Sequence, residues 1–399
     1  MIQDIIGLIL RPINYLIPVK KKHWVFGADY GNMYREGSKY LLEYMLKEHP
    51  DYNCTFITRN KEVIKELKAK GIPVEHNYSW KGIYKCTIAD VVFTTQVIGD
   101  IYFTYKKRNR LYLYLLHGQP FKCAAHMLPQ SYFESIKNPN GLWLKSIFNK
   151  FKRWAGLYWG VGYKFRDVSF LSATSEFTAS LLSKEHEKCI KIEILGMPRN
   201  DALFQKERMK SEHWISGIEG KRIITYMPTH RKYGKGELAP IPFLNNPQAQ
   251  IWMRENNIVL LIKQHPNMIK KTPEIVKSDV IIDISRERLD PQVVIYYSDV
   301  LITDYSSVWM DYLLLRRPLL FYFYDDFETE DAGCYYNLRN EFPHNYCEKE
   351  LDLFGKIQMA TKNPEKLTPT FKEVSKFHKY LDGNSCQRYY DEIINRKTY

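Results

Sequence analysis

A short polar segment between two apolar runs is the first place where the sequence offers chemistry. Asp304–Ser307, which reads Asp-Tyr-Ser-Ser, follows Asp299–Thr303, an apolar β-branched run typical of a buried strand. Residues 308–317 predict a helix that ends at Pro318, and Leu319–Tyr324 predicts a second buried strand. Two hydroxyls at the N-terminus of a helix suit an anion. An ordinary capped helix explains the same residues equally well.

Three further polar segments also follow predicted strands. They contribute His117 and Lys122, Thr229 and Arg231, and Lys263 and His265. Because ligands bind at the carboxyl ends of the strands in open α/β sheets, we expect these side chains to lie near one another. Imidazole suits a general base that acts on a hydroxyl, although a single histidine is more often structural. Two histidines, several cations and a hydroxyl-rich helix N-terminus together predict a site for a phosphorylated ligand.

No D-x-D motif or other carboxylate pair is positioned to hold a divalent metal. The charge of a phosphate is therefore expected to be balanced by protein cations and a helix dipole rather than by Mg²⁺. The sequence also lacks G-x-G-x-x-G and a Walker lysine loop, so dinucleotide binding and P-loop hydrolysis lose support. The predicted site uses neither a metal nor a cofactor.

Strand-like and helical stretches alternate along most of the chain. The predicted strands are His23–Phe26, Cys54–Ile57, Val91–Thr94, Leu111–Leu116, Val168–Leu171, Ile223–Met227, Ile258–Ile262, Val280–Asp283, Val300–Thr303 and Leu319–Tyr324. Helices are predicted over Glu36–Lys47 and Lys61–Lys70, and residues 204–221 look less ordered. This alternation predicts an α/β fold of parallel sheets with helices on both faces. Since 399 residues exceed one usual core, we expect two Rossmann-type domains, 1–210 and 211–399.

Composition limits the partners and the compartment. The formal net charge of +13 favours an anionic partner, such as a phosphorylated substrate, anionic lipid or nucleic acid. Seven scattered cysteines without a C-x-x-C pair argue against a disulfide framework and a zinc site, and favour a reducing environment.

The N-terminal apolar run 5–10 is too short to span a bilayer and lacks a signal-peptide cleavage site. Together with Lys20–Lys22, it suits either a membrane interface or a helix packed on its own domain.

Residues 137–166 interrupt the alternation with a basic and aromatic insertion. The insertion has seven Lys or Arg residues, eight aromatic residues and no acidic residue. Its apolar residues follow a helical period, while Lys145, Lys150, Lys152 and Arg153 lie mostly off that stripe and Trp154 lies on it. We favour a helical surface that binds an anionic membrane. Packing against the N-terminal domain is the alternative, and nucleic acid is disfavoured because no recognisable binding module accompanies these residues.

Several motifs resemble those of the CDP-glycerol glycerophosphotransferase family, the teichoic acid primases and polymerases with relatives in capsule synthesis. The motifs are HGQPFK, GMPRND, YMPTHR, KQHP and LITDYSS with the following DYLLLRRPLLFYFYD, and the resemblance covers nearly the whole chain. It implies a GT-B-like pair of Rossmann domains facing a cleft. It also implies a peripheral protein on the cytoplasmic face of the membrane, which moves polyol phosphate from a CDP-activated donor to a lipid-linked acceptor and releases CMP.

The resemblance also implies roles for individual residues. His117 would be the base on the acceptor side, and His265 would contact the donor phosphate. The loop from Asp304 to Ser307, which includes Ser306, would hold the pyrophosphate at the helix N-terminus, and Arg231 falls in the family's cationic segment. Lys122, Thr229 and Lys263 complete the predicted substrate contacts. The sequence departs from the family pattern at Gln119, Phe121 and His230.

Two other functions compete with this one. A GT-B glycosyltransferase would use a nucleotide sugar and release a nucleoside diphosphate. A non-catalytic membrane-bound scaffold of an envelope-synthesis complex would not need His117 and His265 at their motif positions. The expected partners are a CDP-polyol donor, a lipid-linked glycan acceptor and an anionic membrane surface, with no nucleic acid, and a homo-oligomer is compatible with them.

Overall fold

The computed structural model of the protein describes residues 16–95, 100–101, 109–122, 168–185, 191–212, 214–229, 239–265, 278–325 and 333–397. The predicted insertion at 137–166 and the apolar run at 5–10 lie outside these ranges. Within them, no helix is both long and apolar enough to cross a bilayer.

A seven-stranded parallel sheet forms from the first half of the chain. Its strands are β1 (Lys20–Phe26), β2 (Asn53–Thr58), β3 (Val74–His76), β4 (Ala89–Thr94), β5 (Leu111–Tyr114), β6 (Phe170–Ala173) and β7 (Lys191–Ile194). They lie in the order β3-β2-β1-β4-β5-β6-β7. Trp24 and Phe26 pack into the core on one face of the sheet and Val25 into the core on the other. The continuous apolar character of the strands therefore reflects burial on both faces.

A six-stranded parallel sheet forms from the second half. Its strands are β8 (Arg222–Met227), β9 (Ile258–Ile262), β10 (Ile281–Asp283), β11 (Val300–Thr303), β12 (Leu319–Tyr322) and β13 (Tyr346–Cys347). The order is β10-β9-β8-β11-β12-β13, so the strand order reverses between β8 and β11. In the first sheet the reversal lies between β1 and β4. Such reversals open a crevice beyond the carboxyl ends of the strands, where ligands of α/β proteins bind.

Helices connect and cover the strands. They are α1 (Glu36–Glu48), α2 (Lys61–Ala69), α3 (Trp80–Ile88), α4 (Glu176–Glu185), α5 (Lys206–Ser211), α6 (Pro247–Glu255), α7 (Pro291–Tyr297), α8 (Val308–Leu313), α9 (Leu338–Glu341), α10 (Glu350–Lys362), α11 (Phe371–Phe377) and α12 (Ser385–Arg396). Short 3-10 turns lie at Asp29–Gly31, Pro198–Phe204 and Pro364–Lys366.

The last helix returns to the first sheet. Cys386, Tyr389 and Ile393 of α12 belong to the same core as Trp24. Asp201 fixes the start of this helix, because its carboxylate accepts hydrogen bonds from the backbone N–H groups of Ser385 (2.8 Å) and Cys386 (2.7 Å). The chain therefore crosses between the two sheets a second time.

Polar contacts join the two halves along α1. Lys39 Nζ lies 3.0 Å from Asp290 Oδ2, which belongs to the second half, and both side chains are largely buried. Gln292 Nε2 donates to Asn200 Oδ1 at 2.8 Å. These contacts join the first turn of α1 to the start of α7, and α7 to the segment Pro198–Phe204.

The predicted α/β fold with parallel sheets is confirmed, and most strand boundaries agree within two residues. The helix predicted over 308–317 is too long, because α8 ends at Leu313. Arg316 has a φ of +50°, and the Arg317 guanidinium donates to the carbonyls of Tyr296 and Ser298. The helix α5 falls within the stretch expected to be less ordered. The division at residue 210 stays a prediction.

Candidate active site

Asp304 joins the ends of two neighbouring strands in the second sheet. Its Oδ1 accepts a hydrogen bond from the backbone N–H of Thr229 at 2.7 Å, and both side chains are buried. Thr229 follows β8 and Asp304 follows β11, so the bond spans the point where the strand order reverses. Asp304 therefore braces the base of the loop that carries Ser306 and Ser307. Direct contact of Asp304 and Thr229 with a substrate stays a prediction.

Ser306 and Ser307 are half-buried in that loop. Ser307 occupies the N-cap position of α8, but its hydroxyl makes no capping hydrogen bond, so the alternative of an ordinary helix cap is not supported at this side chain. The loop after β5 lies directly against it: a Cβ atom added to Gly118 would lie only 2.6 Å from Ser307 Oγ. A side chain at position 118 would therefore force the Ser307 side chain to shift, and glycine lets the two loops approach without that shift.

His117 lies at this junction with its side chain 51% exposed. Its Nδ1 is 2.5 Å from Oε1 of Glu36, a buried carboxylate at the start of α1. Burial opposes ionisation of Glu36, yet the neighbouring His117 and Arg35 hold the pKa of its carboxyl below the ordinary value. The pair thus combines a buried acid that favours its charged form with an imidazole open to a ligand.

Arg199 fixes the backbone of His117 from the other side. Its Nη1 donates to His117 O at 2.5 Å, while its Nε and Nη2 lie 2.9 and 2.8 Å from Asp311 Oδ2. Arg199 and Asp311 are both buried, and Asp311 belongs to α8. One guanidinium therefore ties the loop of His117 to the helix that follows Ser307.

Lys263 and His265 follow β9, the strand beside β8, and both are half-buried. Burial lowers the pKa of the Lys263 ammonium. The carboxylate of Asp290 opposes this shift, whereas the positive charge of Arg35 adds to it. Within the described ranges no carboxylate forms an ion pair with Lys263. A cation that is partly desolvated and unpaired attracts an anionic ligand.

Of the other predicted binding residues, Lys122 lies within the described ranges, whereas Arg231 and the residues of the insertion do not. Lys122 is exposed and pairs through an isolated antiparallel bridge with Cys334 of the second half. Arg231, together with Lys145, Lys150, Lys152, Arg153 and Trp154 of the insertion, lies outside the described residues.

Two of the residues that depart from the family pattern, Gln119 and Phe121, have buried side chains. Gln119 is buried and its Nε2 lies 3.4 Å from Ser172 O, between the ends of β5 and β6. Phe121 is buried against Tyr305 and Trp309, with ring centroids 6.4 and 6.0 Å apart. Both departures therefore change the packing beneath the site.

Sequence reasoning missed Glu36, Arg199 and Asp311. Glu36 reads as an ordinary acidic residue in the first turn of a helix, where carboxylates are common. Arg199 stands in the GMPRND motif and Asp311 in the DYLLL motif, so membership of a motif was their only signal.

The arrangement places the half-exposed imidazole of His117 beside the Ser307 loop, in a region that also holds Lys263 and Arg35. No group of three or more potential metal ligands occurs among the residues that the structure describes. Proton transfer from a hydroxyl and binding of a phosphorylated partner are the chemistry that these residues can perform.

A protein-family model described as CDP-Glycerol:Poly(glycerophosphate) glycerophosphotransferase matches residues 9–395. The chain belongs to this family. The resemblance inferred from the motifs is thereby confirmed.

Curated members of the glycerophosphotransferase family are moderately similar to the chain. The teichoic acid glycerol-phosphate primase of Bacillus subtilis is 29% identical over 58% of this chain and 58% of its own length. The teichoic acid ribitol-phosphate polymerase TarK of Staphylococcus aureus is 29% identical over 50% of this chain and 40% of its own length. The chain spans about half the length of the first curated relatives it matches.

A solved structure has the same fold as this glycerophosphotransferase-family chain. A variant of the wall teichoic acid polymerase TagF superposes with a TM-score of 0.73 at 20% identity, covering 99% of this chain and 95% of that one. The two parallel sheets therefore belong to the GT-B-like architecture that the motifs implied.

Proposed function

We propose that this protein transfers glycerol phosphate, or another polyol phosphate, from a CDP-polyol donor to a hydroxyl of a lipid-linked glycan or polyol-phosphate acceptor, and releases CMP. The reaction would serve teichoic acid or capsular polysaccharide biosynthesis. The observation that carries the proposal is the half-exposed His117 beside the Ser307 loop, in a chain of the glycerophosphotransferase family.

In this reaction His117 is the general base. It accepts the proton of the acceptor hydroxyl while that oxygen attacks the β-phosphorus of the donor. The bond from that phosphorus to the bridging oxygen breaks, and CMP leaves with the electron pair. Positioned hydrogen-bond donors and cations stabilise the charge that develops on the phosphoryl oxygens.

The donor occupies the edge of the second sheet. Ser306, Ser307 and backbone N–H groups of their loop bind the pyrophosphate, and His265 contacts the phosphate being transferred. Lys263 supplies a positive charge from the neighbouring strand, and Arg231 and Lys122 add to it. This assignment accounts for a lysine whose pKa burial lowers and which has no ion pair in the described part of the chain.

Product identity tests the proposal. Purified protein is incubated with CDP-glycerol, CDP-ribitol or a nucleotide sugar, together with a panel of lipid-linked acceptors, and products are identified by mass. We expect CMP and an acceptor heavier by one or more polyol phosphates. Because the relatives include both glycerol- and ribitol-phosphate enzymes, parallel reactions with the two donors identify the polyol. Release of a nucleoside diphosphate would favour the glycosyltransferase alternative, and donor binding without turnover would favour the scaffold.

Ser307→Ala is expected to weaken donor binding with little effect on stability. The Ser307 hydroxyl makes no capping bond, so its loss removes no capping hydrogen bond from α8. A hydrogen bond to a charged oxygen contributes roughly 1.5–3 kcal/mol, which corresponds to about a 10- to 100-fold weaker Kd. Calorimetric titration with CDP-glycerol and CMP, and the melting temperature, measure the two effects.

Ser79→Ala is the matched control for Ser307→Ala. Ser79 Oγ caps α3 by accepting from Gly82 N at 3.0 Å. We expect this variant to lose about 1 kcal/mol of stability and to bind donor normally. A Ser307→Ala protein that behaves like Ser79→Ala would show that the donor site lies elsewhere.

The basic insertion is proposed to hold the enzyme on the cytoplasmic face of the membrane as a peripheral protein. Each basic residue near an anionic surface contributes on the order of 1 kcal/mol. Replacing Lys145, Lys150, Lys152 and Arg153 with Gln is therefore expected to release the protein from anionic vesicles in a co-sedimentation assay, and Trp154→Ala is expected to weaken binding further.

A charge-matched variant controls for the loss of four cations. Lys61, Lys65, Lys68 and Lys70 are exposed on or beside α2, so their replacement with Gln removes the same charge from a different surface. We expect this control to sediment with vesicles like the parent. Equal release of both variants would indicate attraction by net charge alone, and retention of the insertion variant would contradict the proposal.

A further inference from the structure

The contact between Glu36 and His117 is accompanied by two unusual backbone conformations, one at Glu36 and one at Leu116. Glu36 has a φ of +61°, and Leu116, directly before His117, has a φ of +53°. Positive φ is unfavourable for residues with bulky side chains and is maintained only when surrounding contacts enforce it. Strain of this kind at Glu36 and at the residue directly before His117, which is 81 residues away from Glu36 in the chain, indicates that the contact is specified by the fold.

Packing around Glu36 leaves its carboxylate one hydrogen-bond partner among the described residues. Oε1 lies 2.5 Å from His117 Nδ1, whereas Oε2 is buried and has no hydrogen-bond partner within the described ranges. Gly37 allows the start of α1 to lie close to Leu115, since a Cβ atom at position 37 would be 3.2 Å from the Leu115 side chain. The carboxylate is thus directed at the imidazole.

The charges that face the pair favour an ionised Glu36. Arg35 Nε lies 3.7 Å from Glu36 Oε1, and Arg199 approaches from the segment Pro198–Phe204, where it bonds His117 O. Asp311 of α8 forms an ion pair with Arg199, and Lys263 after β9 is close enough to Arg35 for the two charges to repel each other. An ionised carboxylate accepts hydrogen bonds and cannot donate one.

We infer that Glu36 is the positioning residue that fixes the tautomer of His117: it accepts the Nδ1 proton and leaves the lone pair on Nε2. This inference rests on the proposed transfer reaction. The acceptor hydroxyl then gives its proton to Nε2 as its oxygen bonds to the donor phosphorus, and CMP departs. The imidazolium that forms is stabilised by the Glu36 carboxylate until it releases the proton to water.

The direct test is the tautomer of His117 in full-length protein labelled with ¹⁵N-histidine, with the His117 signal assigned by its absence in His117→Asn. Spectra are recorded at about pH 8.5, where an ordinary imidazole is neutral. We expect the parent to carry the proton on Nδ1. In Glu36→Gln, the amide NH₂ can donate to Nδ1 and should shift the proton to Nε2. A parent that carries the proton on Nε2 overturns the inference, even if Glu36→Gln does not fold.

Kinetics provide the second readout. Glu36→Gln is expected to lower kcat by about 10²–10⁴ without changing donor Kd, because the wrong tautomer has no lone pair on Nε2. Glu36→Asp, which keeps the charge, should retain more activity than Glu36→Gln. Glu43→Gln, on the same helix and paired with Arg208, is the matched control and should keep both the His117 tautomer and kcat.

The two readouts separate this inference from the proposed function. If the tautomer changes as expected but the parent transfers no polyol phosphate, the proposed function fails and the pairing of Glu36 with His117 stands. If the parent is active and Glu36→Gln alters neither the tautomer nor kcat, the inference fails and the transfer reaction stands.

Discussion

His117→Ala is expected to slow polyol-phosphate transfer by about 10²–10⁴, the usual effect of removing a general base. The affinity for CDP-glycerol should barely change, because His117 is not among the proposed donor contacts, most of which follow β8, β9 and β11 of the second sheet. Single-turnover rates and calorimetric titration on the same preparation measure the two quantities.

His344→Ala is the matched control for His117→Ala. His344 is exposed and precedes the edge strand β13, so it lies at the amino end of the parallel strands, whereas the site lies at their carboxyl ends. Its replacement should leave transfer and donor binding unchanged. If His117→Ala keeps its rate, or loses donor binding instead, His117 is not the base.

Arg199→Met is expected to destabilise the protein by about 3–5 kcal/mol, because it leaves the carboxylate of Asp311 buried without its guanidinium partner. It should also reduce turnover, since the loop of His117 loses the hydrogen bond to its carbonyl. Chemical denaturation measures the first effect and single-turnover kinetics the second.

A double variant separates stability from positioning. Arg199→Met combined with Asp311→Leu removes both charges, and replacing a buried ion pair with apolar residues is often neutral. We therefore expect stability to return largely to that of the parent while turnover stays low. Recovery of both quantities would show that Arg199 acts only through stability.

An exposed ion pair between the two halves provides the comparison for Arg199. Arg288 Nη2 lies 2.9 Å from Glu62 Oε2, and these side chains are 76% and 70% exposed. Because water screens such a pair, Arg288→Met should change neither the denaturation midpoint nor turnover appreciably. A loss of stability as large as that of Arg199→Met would mean that burial does not distinguish the two contacts.

The sequence by itself determined the fold class and the position of most candidate residues along it. Buried parallel strands are short apolar runs, and this pattern is local, so β9 and β11 begin and end where predicted. Polar residues directly after such runs must lie at the carboxyl edge of a sheet. That is why the sequence alone could propose His117, Lys263, His265 and Ser307 as candidate site residues. The motifs at these edges also sufficed to indicate the family.

Only the tertiary structure decided which residues touch. Glu36 meets His117 across 81 residues, and Arg199 meets Asp311 across 112. No local periodicity encodes such contacts, because they depend on how α1, the segment Pro198–Phe204 and α8 pack between two sheets. The same packing buries Asp304 as a brace for its loop and leaves the Ser307 hydroxyl without a capping bond. Local sequence thus specified the strand ends that carry the candidate site. Long-range packing specified the charges and hydrogen bonds around His117.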